Sequence, residues 1–488
     1  MTAASAYLLS VLKRGSVSWP NDSHTPDWTD RPRPRKKYEP HFPVSFELLT
    51  APDESDVLTL LETATSAYGY QNRRLDVSPN DRDGRAFRIA EPIYGRAAAA
   101  GGGLYPIELY LRTSGTTNLV AGTYYIDWAL RRLAPISLGI RPQPDGLGNA
   151  HNHDIVVTVR YWANAFKYGD FTYHVVAMDV GAFLATFGIA LPAAVKDACE
   201  IQLVAGNDPI RNSLGISHPD EDVYATISIG SSSDLSRRLS SRHPGRAHAE
   251  ERSKAPQTFP QTARVLTEHV ANCELARTWA LPSVRLRDPV TALSSRHTSF
   301  GRFVSRGVDV NTLNDIVRET LTVSSVIAQS LEMPQLEMYA VVLNVEGLAA
   351  GVHRFDQAAE CWVSTKEIMN SYELQTAYFL DNYDMAKVAV VLIPVAIPEA
   401  ARDVRGNGYR ALNAQVGAVA QLVYLLSADN SVGCGAMLGF DNAAVGRSVL
   451  GSEPANLSDE WPFLLLALGH EVNPLHRFHA TLKTIEER

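Results

Sequence analysis

An internal repeat is the feature that most constrains how this chain of 488 residues folds. Three residues of the first half recur 229 positions later, which pairs Tyr110, Ala121 and Asp127 with Tyr339, Ala350 and Asp356. Five more pairs lie 236 positions apart: Tyr173, Gly181, Arg211, Leu214 and Gly215 with Tyr409, Gly417, Arg447, Leu450 and Gly451. Two constant offsets that differ by one small insertion indicate a tandem duplication. We therefore expect two diverged copies of one fold.

Length and composition divide the chain in the same way. One hydrophobic core rarely extends over so many residues, so two domains are expected. Residues 1–45 are rich in Pro, Asp, Arg and Lys and are predicted to form an extended N-terminal arm. Residues 233–262 lack an apolar period and are dense in Ser, Arg and Pro, which is typical of a linker. The two copies are then residues 46–232 and residues 263–488.

Within each copy, short apolar strands alternate with helices, which predicts an α+β fold. The hydrophobic pattern predicts strands at 155–160, 388–397 and 463–468, and long buried helices at 173–194 and 411–427. A helix that is apolar on most of its faces needs a partner to cover them. We expect the two long helices to pack against each other across a pseudo-twofold axis, as an intramolecular pseudo-dimer.

Charge and cysteine content exclude several classes of protein. The net charge of −8 gives no reason to expect a nucleic-acid partner. A basic cluster near the N-terminus is predicted to be a solvated arm: Arg31, Arg33, Arg35, Lys36 and Lys37. The four cysteines show no CxxC spacing, so neither a zinc site nor a disulfide framework is expected. The N-terminus lacks a signal-peptide pattern and the apolar stretches are too short to span a bilayer, which favours a cytoplasmic protein.

Lys167 and Tyr168 are adjacent, directly before a glycine and the first long helix. In water these side chains titrate at about 10.4 and about 10, so neither is a good base. A neighbouring cation favours tyrosinate and desolvation lowers the pKa of lysine, so a buried pair can exchange protons near neutral pH. The alternative is a strand end with an exposed ammonium group and a half-buried ring. The repeat aligns the pair with Asp403 and Val404, so the second copy does not carry it.

A polar segment precedes a helix that is predicted to begin near Asn311. It contains Arg296, His297, Thr298, Ser299 and Arg302. Guanidinium groups make forked, charge-assisted hydrogen bonds to phosphate, so this segment is a candidate phosphate-binding site. A polar surface loop is the alternative. The corresponding part of the first copy, near residues 43–48, has no arginine.

Two segments are unusually rich in small residues, at 97–106 and 432–441. Without bulky side chains, backbone can approach a flat ligand closely. Neither segment has the spacing of a phosphate-binding glycine loop. The second segment is equally consistent with a simple turn between helix and strand, and its Cys434 is predicted to be a packing residue.

Together these segments resemble the nitroreductase-like superfamily, specifically its SagB-type (McbC-like) azoline dehydrogenases of ribosomal peptide biosynthesis. The Gly-x-Leu-Tyr-Pro-x-Glu-Leu-Tyr signature of that family is similar to residues 102–110, and its Lys-Tyr motif falls on Lys167 and Tyr168. Its phosphate motif is similar to the segment that begins at Arg296. The resemblance covers nearly the whole chain and includes the arm.

The resemblance implies one FMN bound between the two copies. Lys167 and Tyr168 would be catalytic, and the cofactor-binding residues would be Arg296, His297, Ser299, Arg302, Ala100, Gly101, Gly102, Leu104, Gly433, Gly435, Ala436 and Met437. No metal is implied. The implied reaction oxidises thiazoline or oxazoline rings to thiazoles or oxazoles in a modified precursor peptide, with cyclodehydratase proteins as possible partners. The chain would be a pseudo-dimeric monomer or a higher homo-oligomer.

Two departures from the family pattern bear on cofactor binding. Ala99 and Ala100 stand where the family has Pro-Ser, which removes a hydroxyl contact, and His297 replaces a second arginine. Two rival functions therefore stay open. One is an NAD(P)H-dependent nitroreductase or flavin reductase that acts on small molecules. The other is a flavin-free, degenerate scaffold subunit of a peptide-modifying complex.

Overall fold

The computed structural model describes residues 2–16, 25–38, 42–78, 88–89, 93–139, 153–204, 208–216, 219–229, 249, 251–257, 259–272, 275–365, 369–472 and 477–481. Most of the predicted linker at residues 233–262 lies outside these ranges. Helices and strands alternate through both halves, which confirms the α+β fold class.

The helices of the described residues are α1 (Ala3–Leu12), α2 (Ser55–Tyr68), α3 (Trp162–Tyr168), α4 (Thr172–Ala190), α5 (Asp208–Leu214), α6 (Pro260–Asn272), α7 (Pro289–Ser295), α8 (Val310–Ser330), α9 (Ser371–Ala377), α10 (Gly408–Asp429) and α11 (Asn442–Leu450). The predicted long helices are α4 and α10. The first ends four residues earlier than predicted because Pro192 holds Leu191 in an extended conformation.

The strands of the first half are β1 (Val44–Ser45), β2 (Tyr70–Ser78), β3 (Arg88–Ile89), β4 (Ile93–Arg96), β5 (Ile107–Thr113), β6 (Gly122–Asp127), β7 (Arg132–Leu138), β8 (His153–Arg160), β9 (Cys199–Leu203) and β10 (Glu221–Ile229). Those of the second half are β11 (Arg277–Trp279), β12 (Val308–Asp309), β13 (Glu337–Val342), β14 (Val345–Glu346), β15 (Gly351–Asp356), β16 (Cys361–Ser364), β17 (Val390–Ala396), β18 (Gly433–Met437), β19 (Trp461–Pro462), β20 (Leu465–Gly469) and β21 (Arg477–Thr481).

The two main sheets share one strand order, which confirms the duplication. Among the described residues, the first sheet contains β7-β6-β5-β8-β10-β9 and the second contains β16-β15-β13-β17-β20-β18, antiparallel throughout. Each repeat offset found in the sequence connects equivalent elements, because Tyr110 and Tyr339 lie on β5 and β13, and Tyr173 and Tyr409 lie on α4 and α10.

The halves also exchange strands. β11, which follows the predicted linker, pairs with β9 and so extends the first sheet. β21, at the end of the chain, pairs with β2 of the first half. The largest cluster of buried apolar side chains is continuous through both halves. The domain bounds of the sequence analysis remain a prediction, but these two strands cross any boundary drawn near residue 260.

The long helices α4 and α10 cross at two glycines. A Cβ at Gly181 would lie 1.8 Å from the carbonyl oxygen of Ala414, and a Cβ at Gly417 would lie 1.9 Å from that of Met178. Met178 and Ala414 are themselves 236 positions apart, so the two contacts are equivalent by the repeat. The expected packing of the helices across a pseudo-twofold axis is therefore confirmed.

A buried ion pair also connects α10 to the first half. Arg410 of α10 donates to the carboxylate of Asp222 on β10 at 2.6 Å and to the carbonyl oxygen of Val223 at 3.0 Å. Its guanidinium lies 3.8 Å from the ring centroid of Tyr224. Because Arg410 is fully buried, it would be an uncompensated charge without Asp222, whose carboxylate also pairs with Arg211 at 2.8 Å.

The N-terminal arm differs from the prediction. Residues Ala3–Leu12 form helix α1, whose buried face joins the main core, rather than an extended arm. The basic cluster is also not a solvated arm. Arg35 pairs with Asp127 at 2.6 Å, and Lys36 pairs with buried Glu221 and donates to Tyr110 at 2.8 Å. Acidic groups on the first sheet attract these cations, which the local sequence does not reveal.

Two helical stretches, Trp162–Ala190 and Gly408–Asp429, are long and apolar enough to cross a membrane by length and composition. The expectation that no apolar stretch is long enough was therefore wrong for helices. Their most apolar windows are 89% and 94% buried inside the protein. Packing between the halves accounts for their apolar character.

The glycine crossing can be tested by adding one methyl group. We expect Gly181→Ala to lower the free energy of unfolding by about 1–3 kcal/mol, because the new Cβ overlaps backbone that cannot move independently. Gly188→Ala is the matched control in the same helix, since its Cβ would meet only the flexible tip of Leu281. Both variants gain the helix propensity of alanine. Urea denaturation showing equal stability for the two variants would contradict the proposed close contact.

Candidate functional site

A cavity of about 740 Å³ lies between the two halves. The first half lines it with residues 95, 99–103, 105, 167, 168, 171 and one face of α4. The second half lines it with residues 296–298, 300, 378–380, 382, 383, 436–439, 464 and one face of α10. Arg14 and Gly15, just after α1, complete the lining. The site is composite because α4 and α10 cross at its base.

The glycine-rich segment of the first half forms part of this wall. Gly102 and Gly103 have φ of +62° and +67°, a left-handed conformation that favours glycine. A Cβ at Gly102 would lie 2.5 Å from Oη of Tyr168 and 3.0 Å from Nζ of Lys167. The segment thus packs directly on the Lys-Tyr pair, and only glycine allows that distance.

Side chains of the second half hold this segment in place. Gln421 of α10 accepts from the Ala99 N–H at 2.9 Å and donates to the Ala97 carbonyl at 2.9 Å. Arg296 donates to the same carbonyl through Nε at 2.7 Å, and to the Arg96 carbonyl through Nη2 at 2.7 Å. The position of the glycine-rich segment therefore depends on both halves.

Lys167 and Tyr168 are the last two residues of α3, not a strand end, and Gly169 ends the helix with φ of +54°. Nζ of Lys167 lies 5.0 Å from the ring centroid of Tyr168. Burial lowers the pKa of Lys167, as desolvation predicts. The expectation of a favoured tyrosinate is wrong, because burial raises the pKa of Tyr168 and the charge of Asp179 adds to that rise. Burial thus disfavours the charged form of both side chains.

Asp179 is a cavity residue that the sequence analysis missed. It lies on α4, is 5% exposed, and its Oδ1 accepts from the Gly101 N–H at 2.7 Å. Burial raises the pKa of this carboxyl to about 7. An acidic residue inside an otherwise apolar helix was the sequence signal for it. The repeat places Gln415 at the equivalent position of α10, so the carboxylate is on the same side as the Lys-Tyr pair.

The predicted phosphate segment is only partly in the cavity. Arg296, His297 and Thr298 line it, whereas Ser299 and Arg302 do not. Ser299 is buried, and its backbone N–H donates to the Cys434 carbonyl at 2.9 Å. Two nitrogens of Arg296 are already bound to backbone carbonyls. His297 Nε2 lies 2.9 Å from a carboxylate oxygen of Glu471, which places a negative charge beside the segment.

The small-residue segment of the second half forms strand β18 rather than a simple turn. Ala436 and Met437 line the cavity, whereas Gly433 and Gly435 do not. A Cβ at Gly435 would lie 2.2 Å from Oη of Tyr383, so its lack of a side chain makes room for that tyrosine.

The cavity thus unites most of the predicted site residues. It brings together Lys167, Tyr168, Ala100, Gly101, Gly102, Arg296, His297, Ala436 and Met437, and leaves Leu104, Ser299, Arg302, Gly433 and Gly435 outside its lining. The roles of these residues remain predictions. Sequence reasoning missed the segment at 378–383 and Arg14, since neither carries a local motif.

The pseudo-symmetric position on the other side of the interface is filled by the chain itself. By the repeat offsets, Asp403 and Leu331 stand where Lys167 and Gly102 stand in the first half. Arg277 of β11 joins them, with Nη2 at 2.6 Å from the Asp403 carboxylate and Nη1 donating to the Leu331 carbonyl. Leu281, a few residues later, covers Gly188, the counterpart of the cavity residue Tyr424.

Comparison with solved structures identifies the fold. A protein of Anabaena variabilis described as a nitroreductase matches with a TM-score of 0.67 at 17% identity, and the match covers 97% of this chain and 100% of that one. The fold is nitroreductase-like. Because the match extends over nearly the whole chain, the Anabaena protein shares the architecture of both halves.

Two other solved structures match smaller parts of this nitroreductase-like chain. The McbBCD microcin synthetase complex of E. coli, with truncated pro-MccB17 bound, matches at 15% identity over 35% of this chain and 67% of that chain, with a TM-score of 0.29. A Ralstonia eutropha protein described as a nitroreductase matches at 14% identity over 39% of this chain and 87% of that chain, with a TM-score of 0.30. The fold assignment rests on the Anabaena structure because these TM-scores are low. No family model and no curated protein matches the chain.

The buried carboxyl of Asp179 should make stability depend on pH. Its folded-state pKa of about 7 lies above the ordinary value of about 3.9, so the folded protein binds this proton more tightly than the unfolded chain does. The resulting contribution to the free energy of unfolding is fully present below about pH 4 and is lost as the pH rises through about 7. We expect Asp179→Asn to be more stable than the natural protein at pH 8 and nearly equal to it at pH 4, in urea denaturation. A stability difference that is the same at both pH values would contradict the raised pKa.

Proposed function

We propose that the chain is an FMN-dependent dehydrogenase that oxidises thiazoline or oxazoline rings to thiazoles or oxazoles in a ribosomally synthesised peptide. The observation that carries this proposal is the composite cavity. It places Lys167, Tyr168 and the glycine-rich segment of one half opposite Arg296 and His297 of the other. Neither half alone has both sets of residues.

The residues of the cavity fit FMN in most respects. Its volume of about 740 Å³ is in the usual range of about 300–1,000 Å³ for ligand cavities. A Cβ at Gly103 would meet open space, which leaves room for a flat ring against the backbone. Oδ2 of Asp179 and Oη of Tyr383 are buried without hydrogen-bond partners among the described residues, as expected of groups that a polar ligand completes.

The phosphate of FMN would be held by Arg296, His297 and Thr298. Residues Ala100, Gly101, Ala436 and Met437 would contact the ring. Since Ser299 and Arg302 lie outside the cavity and Glu471 is close to His297, this phosphate site is weaker than the family pattern implies. We therefore expect the protein to bind FMN reversibly and to lose it on dilution.

The chemistry divides between cofactor and side chains. When bound, FMN supplies a two-electron acceptor for the hydride that leaves the azoline ring, with oxygen as the final oxidant. Lys167, whose pKa burial lowers, accepts the ring Cα proton and becomes an ammonium ion. Tyr168, a neutral phenol, donates a hydrogen bond that orients the ring. The proton then leaves Lys167 for solvent, so the ring has lost one proton and one hydride.

A peptide substrate is consistent with the edge of the cavity. Phe300, Phe379 and Leu380 line the cavity and are 44%, 49% and 54% exposed. Phe300 also has a φ of +47°, which is strained for an aromatic residue and is typical of functional sites. Apolar side chains beside the reacting ring of a peptide would contact these groups. Cyclodehydratase proteins, which form such rings, are the proposed partners.

The Lys-Tyr pair gives the most direct test of the proposed reaction. We expect Lys167→Ala and Tyr168→Phe to bind FMN and to lower azoline oxidation by about 10²–10⁴-fold, because the first removes the proton acceptor and the second removes the hydrogen bond that orients the ring. Chromatography and mass spectrometry of a model azoline peptide would measure the rate. Lys387→Ala, at an exposed position outside the cavity, is the control. Undiminished oxidation by both variants would overturn the assigned roles.

The filled mirror position predicts the stoichiometry of the cofactor. We expect about one FMN per chain, since Arg277 and its neighbours fill the equivalent space on the other side. Absorbance of the protein reconstituted with FMN would measure the ratio, and a value near two would contradict this. A protein that binds no flavin would favour the scaffold function instead. Rapid bleaching of bound flavin by NAD(P)H alone would favour a reductase.

A further inference from the structure

Asp179 has a buried oxygen whose partner is missing from the described chain. Oδ1 accepts from the Gly101 N–H, whereas Oδ2 makes no hydrogen bond among the described residues. The side chain is 5% exposed and lines the composite cavity. A buried, unsatisfied acceptor costs about 1–3 kcal/mol, and more if it is charged. Such a group is expected where a bound ligand supplies the missing donor.

Neither the helix of Asp179 nor the glycine-rich segment beside it supplies that donor. On its own helix, the neighbouring cavity residues are Val175, Met178 and Ala182, which carry no polar side-chain hydrogen. A Cβ at Gly101 would lie 2.2 Å from Cγ1 of Val175, so the glycine-rich segment covers the helix closely on that side. The Gly101 N–H is already used by Oδ1.

The titratable groups that face Asp179 come from two other helices. Tyr68 of α2 and Tyr168 of α3 both have pKa values raised by burial, and the carboxylate of Asp179 raises them further. Both are therefore neutral phenols. The Tyr68 hydroxyl already accepts a hydrogen bond from the Ile107 N–H at 3.0 Å. Lys167, whose pKa burial lowers, lines the same cavity.

We propose that Oδ2 of Asp179 accepts a hydrogen bond from an N–H group of the heteroaromatic molecule bound in the cavity, so that Asp179 is a ligand-binding residue. The inference rests on the proposed function, in which that molecule is a flavin. The oxidised flavin ring carries a single N–H, at N3 between two carbonyl groups. A carboxylate is a strong acceptor for such an imide hydrogen. Asp179 therefore selects for a ring whose N–H is intact.

The experiment compares two flavins on the full chain at about pH 8, above the pKa of about 7 of Asp179, after removal of bound cofactor. FMN and N3-methyl-FMN are titrated separately, and quenching of flavin fluorescence gives each Kd. Because a hydrogen bond to a charged group is strong, the natural protein should bind FMN about tenfold or more tightly than the methyl analogue. In Asp179→Asn, whose amide oxygen still accepts from Gly101 but whose NH₂ replaces the free acceptor, this preference should fall below about threefold.

Asp315→Asn is the matched control, because Asp315 is an exposed carboxylate within α8 and does not line the cavity. It should keep the full preference for FMN. If circular dichroism shows that Asp179→Asn is unfolded, Asp179→Ser is used instead. The preference of Asp179→Ser for FMN over N3-methyl-FMN should fall equally. Equal binding of the two flavins by the natural protein, or an undiminished preference in the Asp179 variant, overturns the inference and leaves FMN binding intact. Failure of the natural protein to bind either flavin overturns the proposed function and this inference together.

Discussion

The crossing of α4 and α10 is the constraint on which the rest of the structure depends. Gly181 and Gly417 let the two backbones approach so closely that a single methyl group would overlap a carbonyl oxygen. Each long helix thereby covers the apolar surface of the other, and residues near the crossing, Asp179 on one helix and Ala420 on the other, reach one cavity. The composite site is a consequence of this packing.

Duplication within one chain allows the two copies to diverge. The first copy has Lys167, Tyr168 and Asp179, where the second has Asp403, Val404 and Gln415. In a symmetric homodimer, both interfaces would carry the same residues. Here Arg277 bonds to Asp403 and Leu331 at one of the two equivalent positions, whereas the other position is open as a cavity.

The local sequence pattern predicted the helices and small-residue segments better than it predicted the contacts that they make. The apolar character of α4 and α10 predicted their burial. The small residues near Gly102 predicted only the close approach of a flat ligand, and their packing on the Lys-Tyr pair was found in the structure. Three features could not be predicted locally because they depend on contacts between distant segments. They are the burial of α1, the pairing of Lys36 with Glu221 and the position of Arg14 at the cavity. Arg296 shows the same limit, because its guanidinium is bound by carbonyls of the first half, about 200 residues away along the chain.

The sequence by itself determined the duplication, the α+β class and the asymmetric distribution of the Lys-Tyr pair and the arginine segment, because constant offsets and hydrophobic periods are properties of residue order. Only the tertiary structure decided which of these residues share a cavity. It also shifted their pKa values, since burial raises the pKa of Tyr168 above its ordinary value and that of Asp179 to about 7. Tyr168 and Asp179 become buried only when the two halves pack together, so no single segment of the sequence predicts their burial.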